Sequence, residues 1–357
     1  MWLNEPAAAA VHRAAAVLLT GVALACSVLA GTPLWAKAPA DACLNTRYSM
    51  RQLPFLPTVI SQSALVAGTN EVSRPVVWQA QTGTRELPVP KGFKSAEPVA
   101  ITRSGGIIVD AFDAQHRIRA AFVYSGRSIV AVAGEQTFVH GASPSGLVLG
   151  ESVPAGAARA QAVYWSDNVP HTLGLCCGGT LKAGNRSGEM VGEAYDEQGR
   201  YQAFAWNPTR HEPRLIGTEH YSAAVAINDA GDILVQAGRA VYLEQGGQLR
   251  QLELSAAFVN TARSMNNCGF VVGGYGPDSD RNRAFLWTPQ GGFQDLNTLI
   301  PPDSTWTLQD AFAINDRGQI VGRAVHNRDE AGSILTPVSY EPSGSPFGLR
   351  GDRPRAP

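Results

Sequence analysis

Three short segments carry most of the side chains that could recognise a polar ligand. The first holds Asp113, His116 and Arg117, the second Tyr195, Asp196 and Arg200, and the third His326 and Arg328. Carboxylates, cations and hydroxyl-bearing rings of this kind hold ligands by charge-assisted hydrogen bonds. A fourth segment, Asp278-Ser279-Asp280-Arg281-Asn282, sets the oxygen ligands Asp278, Asp280 and Asn282 at alternate positions, as a calcium loop begins. It departs from such a loop twice. Arg283 stands where the central glycine belongs, and Pro289 where the bidentate acid belongs. Calcium is the one cofactor the residues suggest, and only at that segment. The seven histidines show no paired metal spacing, and Cys176-Cys177-Gly178-Gly179 lacks the second cysteine pair or the histidines that a zinc site needs. Gly141-Ala142-Ser143-Pro144-Ser145-Gly146 looks superficially like a nucleophile elbow, but its serine falls on a repeat position described next. Arg350-Gly351-Asp352 sits in a Pro/Gly/Arg-rich tail, 342–357, whose composition reads as disordered.

These segments must be positioned by a repeat of about 40 residues. A turn slot falls at Ala64, Gly105, Gly146, Gly188, Gly231, Gly269 and Gly318. Three positions earlier stand Ser61, Thr102, Ser143, Asn185, Asn228, Asn266 and Asn315. A small polar side chain that bonds its own backbone, followed by a residue free to take positive φ, is the chemistry of a tight turn. An aromatic slot follows at Trp78, Tyr124, Trp165, Trp206 and Trp287, with Leu243 and Thr336 in the other two copies. It ends apolar runs such as Ala284-Phe285-Leu286, which suit strands buried on both faces. Beyond come Leu87, Leu173, Leu215, Leu252 and Leu296, each expected to close a further short strand.

Each repeat thus predicts four antiparallel strands: A before the turn, B after it, C with the aromatic slot, D with the leucine. Several such units predict an all-β fold, a single β-propeller of seven four-stranded blades over 47–341. The seventh repeat lacks strand D, because Glu341-Pro342-Ser343-Gly344-Ser345-Pro346 is no strand. Tyr48-Ser49-Met50-Arg51-Gln52-Leu53-Pro54 resembles Phe293-Gln294-Asp295-Leu296-Asn297 and is expected to supply it, closing the ring from the N-terminal side. Six blades is the alternative if the weak first repeat does not fold as one. The charged segments above then fall in B–C loops, which share one face with the D–A loops.

The pattern Ile314-Asn315-Asp316-Arg317-Gly318-Gln319-Ile320-Val321-Gly322, with Arg283-Ala284-Phe285-Leu286-Trp287 and Asp295-Leu296, resembles the extracellular HAF-repeat family of bacteria. The naming His-Ala-Phe triplet reads Arg283-Ala284-Phe285 and Gln202-Ala203-Phe204 here, without its histidine. The resemblance covers Arg47 to Tyr340 and implies a secreted propeller. It implies no activity and transfers no catalytic residue.

Residues 1–36 read as a secretory signal: basic Arg13, an apolar stretch from Ala14 to Ala30, and small residues at Ala30 and Ala36 where cleavage fits. A retained anchor, or a lipid attached at Cys26, are the alternatives. Secretion, or a periplasmic location, is the expectation. With 29 basic and 30 acidic residues the net charge is −1, and no basic stripe suits nucleic acid. Four cysteines remain after the signal, and an exported protein permits disulfides. Cys268 and Cys43 fall on the A–B turn face, Cys176 and Cys177 on the opposite one. The expected pairs are therefore Cys43 with Cys268 and Cys176 with Cys177, the alternative being that some stay as thiols. Together these features point to an exported, non-enzymatic propeller that binds a glycan, peptide or protein through its B–C and D–A loops. The alternative is an extracellular hydrolase or lyase with its site at the channel mouth.

Overall fold

The turns of the repeat are local, each closed by bonds within five residues. In the computed structural model every residue of the turn slot has positive φ, from 62° at Ala64 to 97° at Gly146. Each polar partner closes its turn as expected. Asn266 Oδ1 accepts from the amides of Cys268 and Phe270, both at 3.0 Å, and Ser61 Oγ accepts from the Leu65 amide at 3.0 Å. Ser143 does the same for Leu147 at 3.1 Å, which accounts for the serine of the elbow-like sequence.

The structure describes residues 47–338, except 116, 127, 134–135, 155, 210–211, 218–220, 255–258 and 279–280. The signal, Cys43 and the tail therefore lie outside the described residues. Strand β1 (Tyr48–Leu53) precedes seven hairpin sets. Blade 1 is β2 (Leu56–Ile60), β3 (Val66–Thr69), β4 (Pro75–Gln79) and β5 (Gly83–Glu86). Blade 2 is β6 (Ser95–Ile101), β7 (Ile107–Phe112), β8 (Ile118–Ser125) and β9 (Ser128–Ala133). Blade 3 is β10 (Thr137–Ala142), β11 (Val148–Ser152), β12 (Gln161–Ser166) and β13 (Val169–Thr172). Blade 4 is β14 (Gly179–Gly184), β15 (Met190–Tyr195), β16 (Tyr201–Trp206) and β17 (Arg214–Leu215). Blade 5 is β18 (Ser222–Ile227), β19 (Ile233–Ala237), β20 (Ala240–Gln245) and β21 (Gln248–Gln251). Blade 6 is β22 (Val259–Met265), β23 (Val271–Gly276), β24 (Arg283–Thr288) and β25 (Gly292–Asp295). Blade 7 is β26 (Thr307–Ile314), β27 (Ile320–His326) and β28 (Asp329–Pro337), completed by β1. All seven sheets are antiparallel and four-stranded, so the chain is a seven-bladed propeller.

The borrowed strand pairs as the sequence suggested. β1 runs antiparallel to β28, with Tyr48 opposite Pro337 and Leu53 opposite Gly332. Tyr48 is 1% exposed and packs with Phe270, Leu286 and Leu335, so the strand is anchored as well as paired.

Seven apolar clusters make up the core among the described residues, and each lies between two neighbouring blades. Phe204 of blade 4 packs with Leu149 of blade 3; Phe285 of blade 6 packs with Leu234 of blade 5; Val321 of blade 7 packs with Val66 of blade 1. Strands B and C are apolar on both faces for this reason, whereas β13 and β21 are exposed along their whole length. One sequence expectation is displaced by a residue. In blade 4 Ile216, not Leu215, fills the strand D slot: its amide bonds Ala203 O at 2.8 Å and it is 3% exposed, while Leu215 is 53% exposed. The C–D connection of this blade is one residue longer, and a one-residue shift turns a strand side chain to the other face.

The turn face carries a second set of bonds between blades. Nδ2 of Asn185, Asn266 and Asn315 donates to the main-chain oxygens of Asn228, Asn315 and Ser61 at 3.2, 3.0 and 3.0 Å. The next residue in each turn hands its amide to the following blade: Arg186 to Asp229, Asp229 to Asn267, Asn267 to Asp316, Asp316 to Gln62, at 2.8–2.9 Å. The ring is thereby stitched from blade 4 through blade 7 to blade 1.

Two stability measurements check this architecture. Deleting Tyr48–Leu53 leaves β28 as a bare edge over an opened core, and should lower the melting midpoint by more than ~10 °C or cause aggregation. A monomeric, unchanged melt would contradict the closure. Trp287, 4% exposed and beneath the Arg250 guanidinium at 5.6 Å, should cost about 3–5 kcal/mol on replacement by alanine in a denaturant titration.

Candidate functional site

Every innermost strand carries a β-bulge at the same place. The register slips between Pro57 and Val59, Pro98 and Ala100, Val139 and Gly141, Leu181 and Ala183, Ala224 and Ala226, Ala262 and Ser264, and Ala311 and Ala313. The extra residue in each case is Thr58, Val99, His140, Lys182, Val225, Arg263 and Phe312. A bulge leaves one residue outside the ladder and re-aims its side chain. Six of these seven residues, all but Val99, line one cavity of about 680 Å³ at the centre of the ring. They sit three positions before the polar turn residue in every repeat.

Three basic side chains of this ring, Lys182, Arg263 and His140, each face an acid. Lys182 Nζ lies 3.1 Å from Glu193 Oε2, and His140 Nε2 lies 3.8 Å from Glu151 Oε1. Arg263 reaches across to blade 7, where Nε and a terminal nitrogen grip the Asp310 carboxylate at 3.1 and 2.7 Å. Gly274 makes that reach possible, since a Cβ there would stand 2.8 Å from Asp310 Oδ1. In blades 3 and 4 the equivalent strand B position holds Glu151 and Glu193.

Burial alone would raise the Glu151 carboxyl. Hydrogen bonds from His140 and Thr180, with the charges of His140 and Lys182, outweigh burial and hold it below its ordinary value. Glu193 also accepts from the Tyr195 hydroxyl at 3.2 Å. Burial first, then the Glu193 charge, pushes that phenol up to about 12. Tyr195, Tyr201 and Tyr221 follow edge to face, with centroids 6.3 and 5.4 Å apart, and Tyr221 presents an exposed ring at the cavity.

The residues singled out in the sequence are distributed differently. Asp113 and Arg117 close their own B–C hairpin: Asp113 Oδ1 accepts from the Gln115 and Arg117 amides at 2.9 and 3.0 Å, and the Arg117 guanidinium pairs with it at 2.9 Å. Asp196 and Arg200 repeat the arrangement in blade 4, the amide at 2.9 Å and the guanidinium at 2.7 Å. Both loops read Asp-x-Gln-x-Arg, a shared turn signature that the charge count alone obscures. His326 packs on Trp306, centroids 5.2 Å apart, and Arg328 sits at φ 75° in the β27–β28 turn. These groups belong to blades 2, 4 and 7 and do not converge. His116 lies outside the described residues.

Tyr195, Asp196 and Arg200 do share a second cavity, of about 470 Å³, with Leu173, Leu175 and Cys176. Cys176 and Cys177 are separate thiols here, their Sγ atoms 2.9 Å apart, beyond the 2.03–2.05 Å of a bond. The two sulfurs expected from the sequence to form a vicinal disulfide are unbonded in this structure. Cys268 is buried, and Cys43, its expected partner, lies outside the described residues. At the calcium-like segment, Asp278 accepts from the Arg281 amide at 3.0 Å and pairs with its guanidinium, and Asn282 abuts Gly274 and Gly276. Asp280 lies outside the described residues. Among the described residues no three His, Cys, Asp or Glu side chains converge as metal ligands.

Sequence reasoning missed the bulge ring. Its signal was positional, a fixed offset from the turn slot, and not compositional.

No protein-family model and no curated protein sequence matches this chain. Solved structures resemble its fold. A prolyl endopeptidase aligns at TM-score 0.52 and 10% identity over 84% of this chain and 51% of its own, so the chain spans about half its length. The virginiamycin B lyase from Staphylococcus aureus aligns at TM-score 0.48 and 11% identity over 82% of this chain and 100% of its own. The WD40 propeller domain of Doa1 aligns at TM-score 0.48 and 12% identity, covering 82% and 96%. At such identities the likeness is one of fold alone.

Asp110 occupies the Glu151 position in blade 2 but is buried, and its Oδ1 accepts from the Val139 amide of blade 3 at 3.5 Å. Burial, opposed by that bond and reinforced by Glu97, pushes its carboxyl from 3.8 up to about 7. A raised acid favours the fold while protonated, so its contribution is complete below about pH 4 and is lost as pH rises through about 7. Asp110→Asn should remove this dependence, and at pH 8 should be the more stable form by up to ~4 kcal/mol. Paired denaturant titrations at pH 4 and pH 8 measure the difference. Parallel pH profiles for the two proteins would contradict it.

Proposed function

We propose that this chain is an exported, non-catalytic propeller of the HAF-repeat type, and that it binds a glycan, peptide or protein at the channel mouth on its B–C and D–A face. One observation carries the reading. The bulge puts a side chain from six of the seven blades at the centre of the ring, and those side chains differ in charge, size and polarity while the adjoining turn residues are all small and polar. Convergent, chemically varied groups on a rigid scaffold are the make-up of a recognition site.

Export is supported by the basic Arg13 followed by the apolar stretch from Ala14 to Ala30. No helix among the described residues is long and apolar enough to cross a membrane. The hydrolase or lyase reading is less well supported. The carboxylates at the mouth are ion-paired, and Glu151 is held below its ordinary pKa, whereas a general base or acid works best when poised near the working pH.

The test is a glycan, peptide and secreted-protein binding screen on the purified chain, repeated with Val225→Trp to plug the mouth. Ligands that bind the wild type should bind the variant at least tenfold more weakly, with the melt unchanged. Undiminished binding by the plugged variant, or turnover of a ligand by the wild type, would overturn the reading.

A further inference from the structure

We infer that the channel mouth takes an acidic saccharide, a sugar ring bearing a carboxylate, with Lys182, His140 and Arg263 as the carboxylate-binding edge and Tyr221 and Phe312 as the sugar-facing surface. This rests on the reading that the mouth is the binding site, and it specifies the ligand class.

Lys182 is 29% exposed against 14% for Glu193, and Arg263 is 41% exposed against 5% for Asp310. His140 is 36% exposed against 19% for Glu151. In all three pairs the basic side chain is the more exposed member; Glu151 and Asp310 do not line the cavity, whereas Glu193 does. The wall pairs acids with bases, and its more exposed members are the N–H donors Lys182, Arg263 and His140. An entering carboxylate meets N–H groups already fixed in place, so little side-chain freedom is lost on binding. Arg263 is held bidentately by Asp310 through Nε and one terminal nitrogen. Its other terminal nitrogen is left to point elsewhere, and a guanidinium matches carboxylate geometry.

Apolar surface lies between these basic side chains. The Tyr221 ring is 57% exposed and is propped edge-on by Tyr201. Phe312 lies under the Arg263 guanidinium at 5.4 Å. Flat rings beside hydrogen-bond donors suit a sugar, which has apolar C–H faces and polar edges. The cavity, about 680 Å³, falls in the size range of small-ligand sites.

Calorimetry with a galacturonate trimer and the neutral galactose trimer of the same linkage tests this on the full chain. The acidic trimer should bind at least tenfold more tightly, and raising the salt should weaken it. Lys182→Gln and His140→Gln should each reduce its affinity at least fivefold with little change in melt. These two are chosen because Arg263→Gln would strand Asp310 and could unfold the blade pair. Equal affinity for the two trimers, or acidic-trimer binding weaker than about 1 mM, overturns the inference. If some other ligand is then lost on Val225→Trp, the mouth is still the site and only the ligand class is wrong. If nothing depends on Val225→Trp, the site itself is wrong.

Discussion

The molecule depends on apolar surface that no single blade can bury. Each cluster of the core is shared by two adjacent blades, so a blade is a half-built interior until its neighbours arrive. Seven such seams must close into a circle, and the seam between blades 7 and 1 joins residues far apart in the chain: Val66 and Val76 against Val321 and Ile334. The borrowed β1, the Asn315-to-Ser61 bond and the Asp316-to-Gln62 bond all serve that seam. Reinforcement is thus present where the circle would otherwise open.

The two faces of the circle have different tasks. On the A–B face, asparagine side chains spend both polar atoms on structure: the oxygen closes a turn and the amide nitrogen crosses to the next blade. On the opposite side, strand B carries the coupling. The Asp110 carboxylate meets the Val139 amide, Glu151 meets Thr180, and Gln236 bonds both Asn260 O and the Ala262 amide. The bulge lies between these two belts, and its residue is released from the ladder. Cation, acid and aromatic groups can then meet at the centre without disturbing either belt.

Much of this was legible in the sequence, and the limits follow from how far each signal reaches. Turn chemistry is local, so Asn185 or Gly269 declares its role by its own identity and that of a residue three positions away. β1 was legible because Tyr48 to Leu53 imitates the strand that blade 7 lacks. Ile216 was misread as Leu215 because strand parity depends on the length of a connection, which composition does not reveal. Asp113, Arg117, Asp196 and Arg200 drew attention by charge density, yet each pair folds back on its own hairpin. The bulge ring was hidden for the opposite reason. Its seven residues share nothing except an offset, and a search for likeness between repeats passes over the position where they differ.

That position has a consequence for how such a protein can change. Core residues answer to two blades and turn residues to backbone geometry, so both are locked by the architecture. The bulged residue is released from the ladder, although Arg263 is still tied to Asp310 and Thr58 to Pro98 O of a neighbouring blade. Thr58, Val225 and Phe312 stand on equivalent backbone and could in principle be exchanged one at a time without re-laying a strand. The scaffold works as a lock barrel with seven pins of independent height. A new key requires new pins and leaves the barrel as it is.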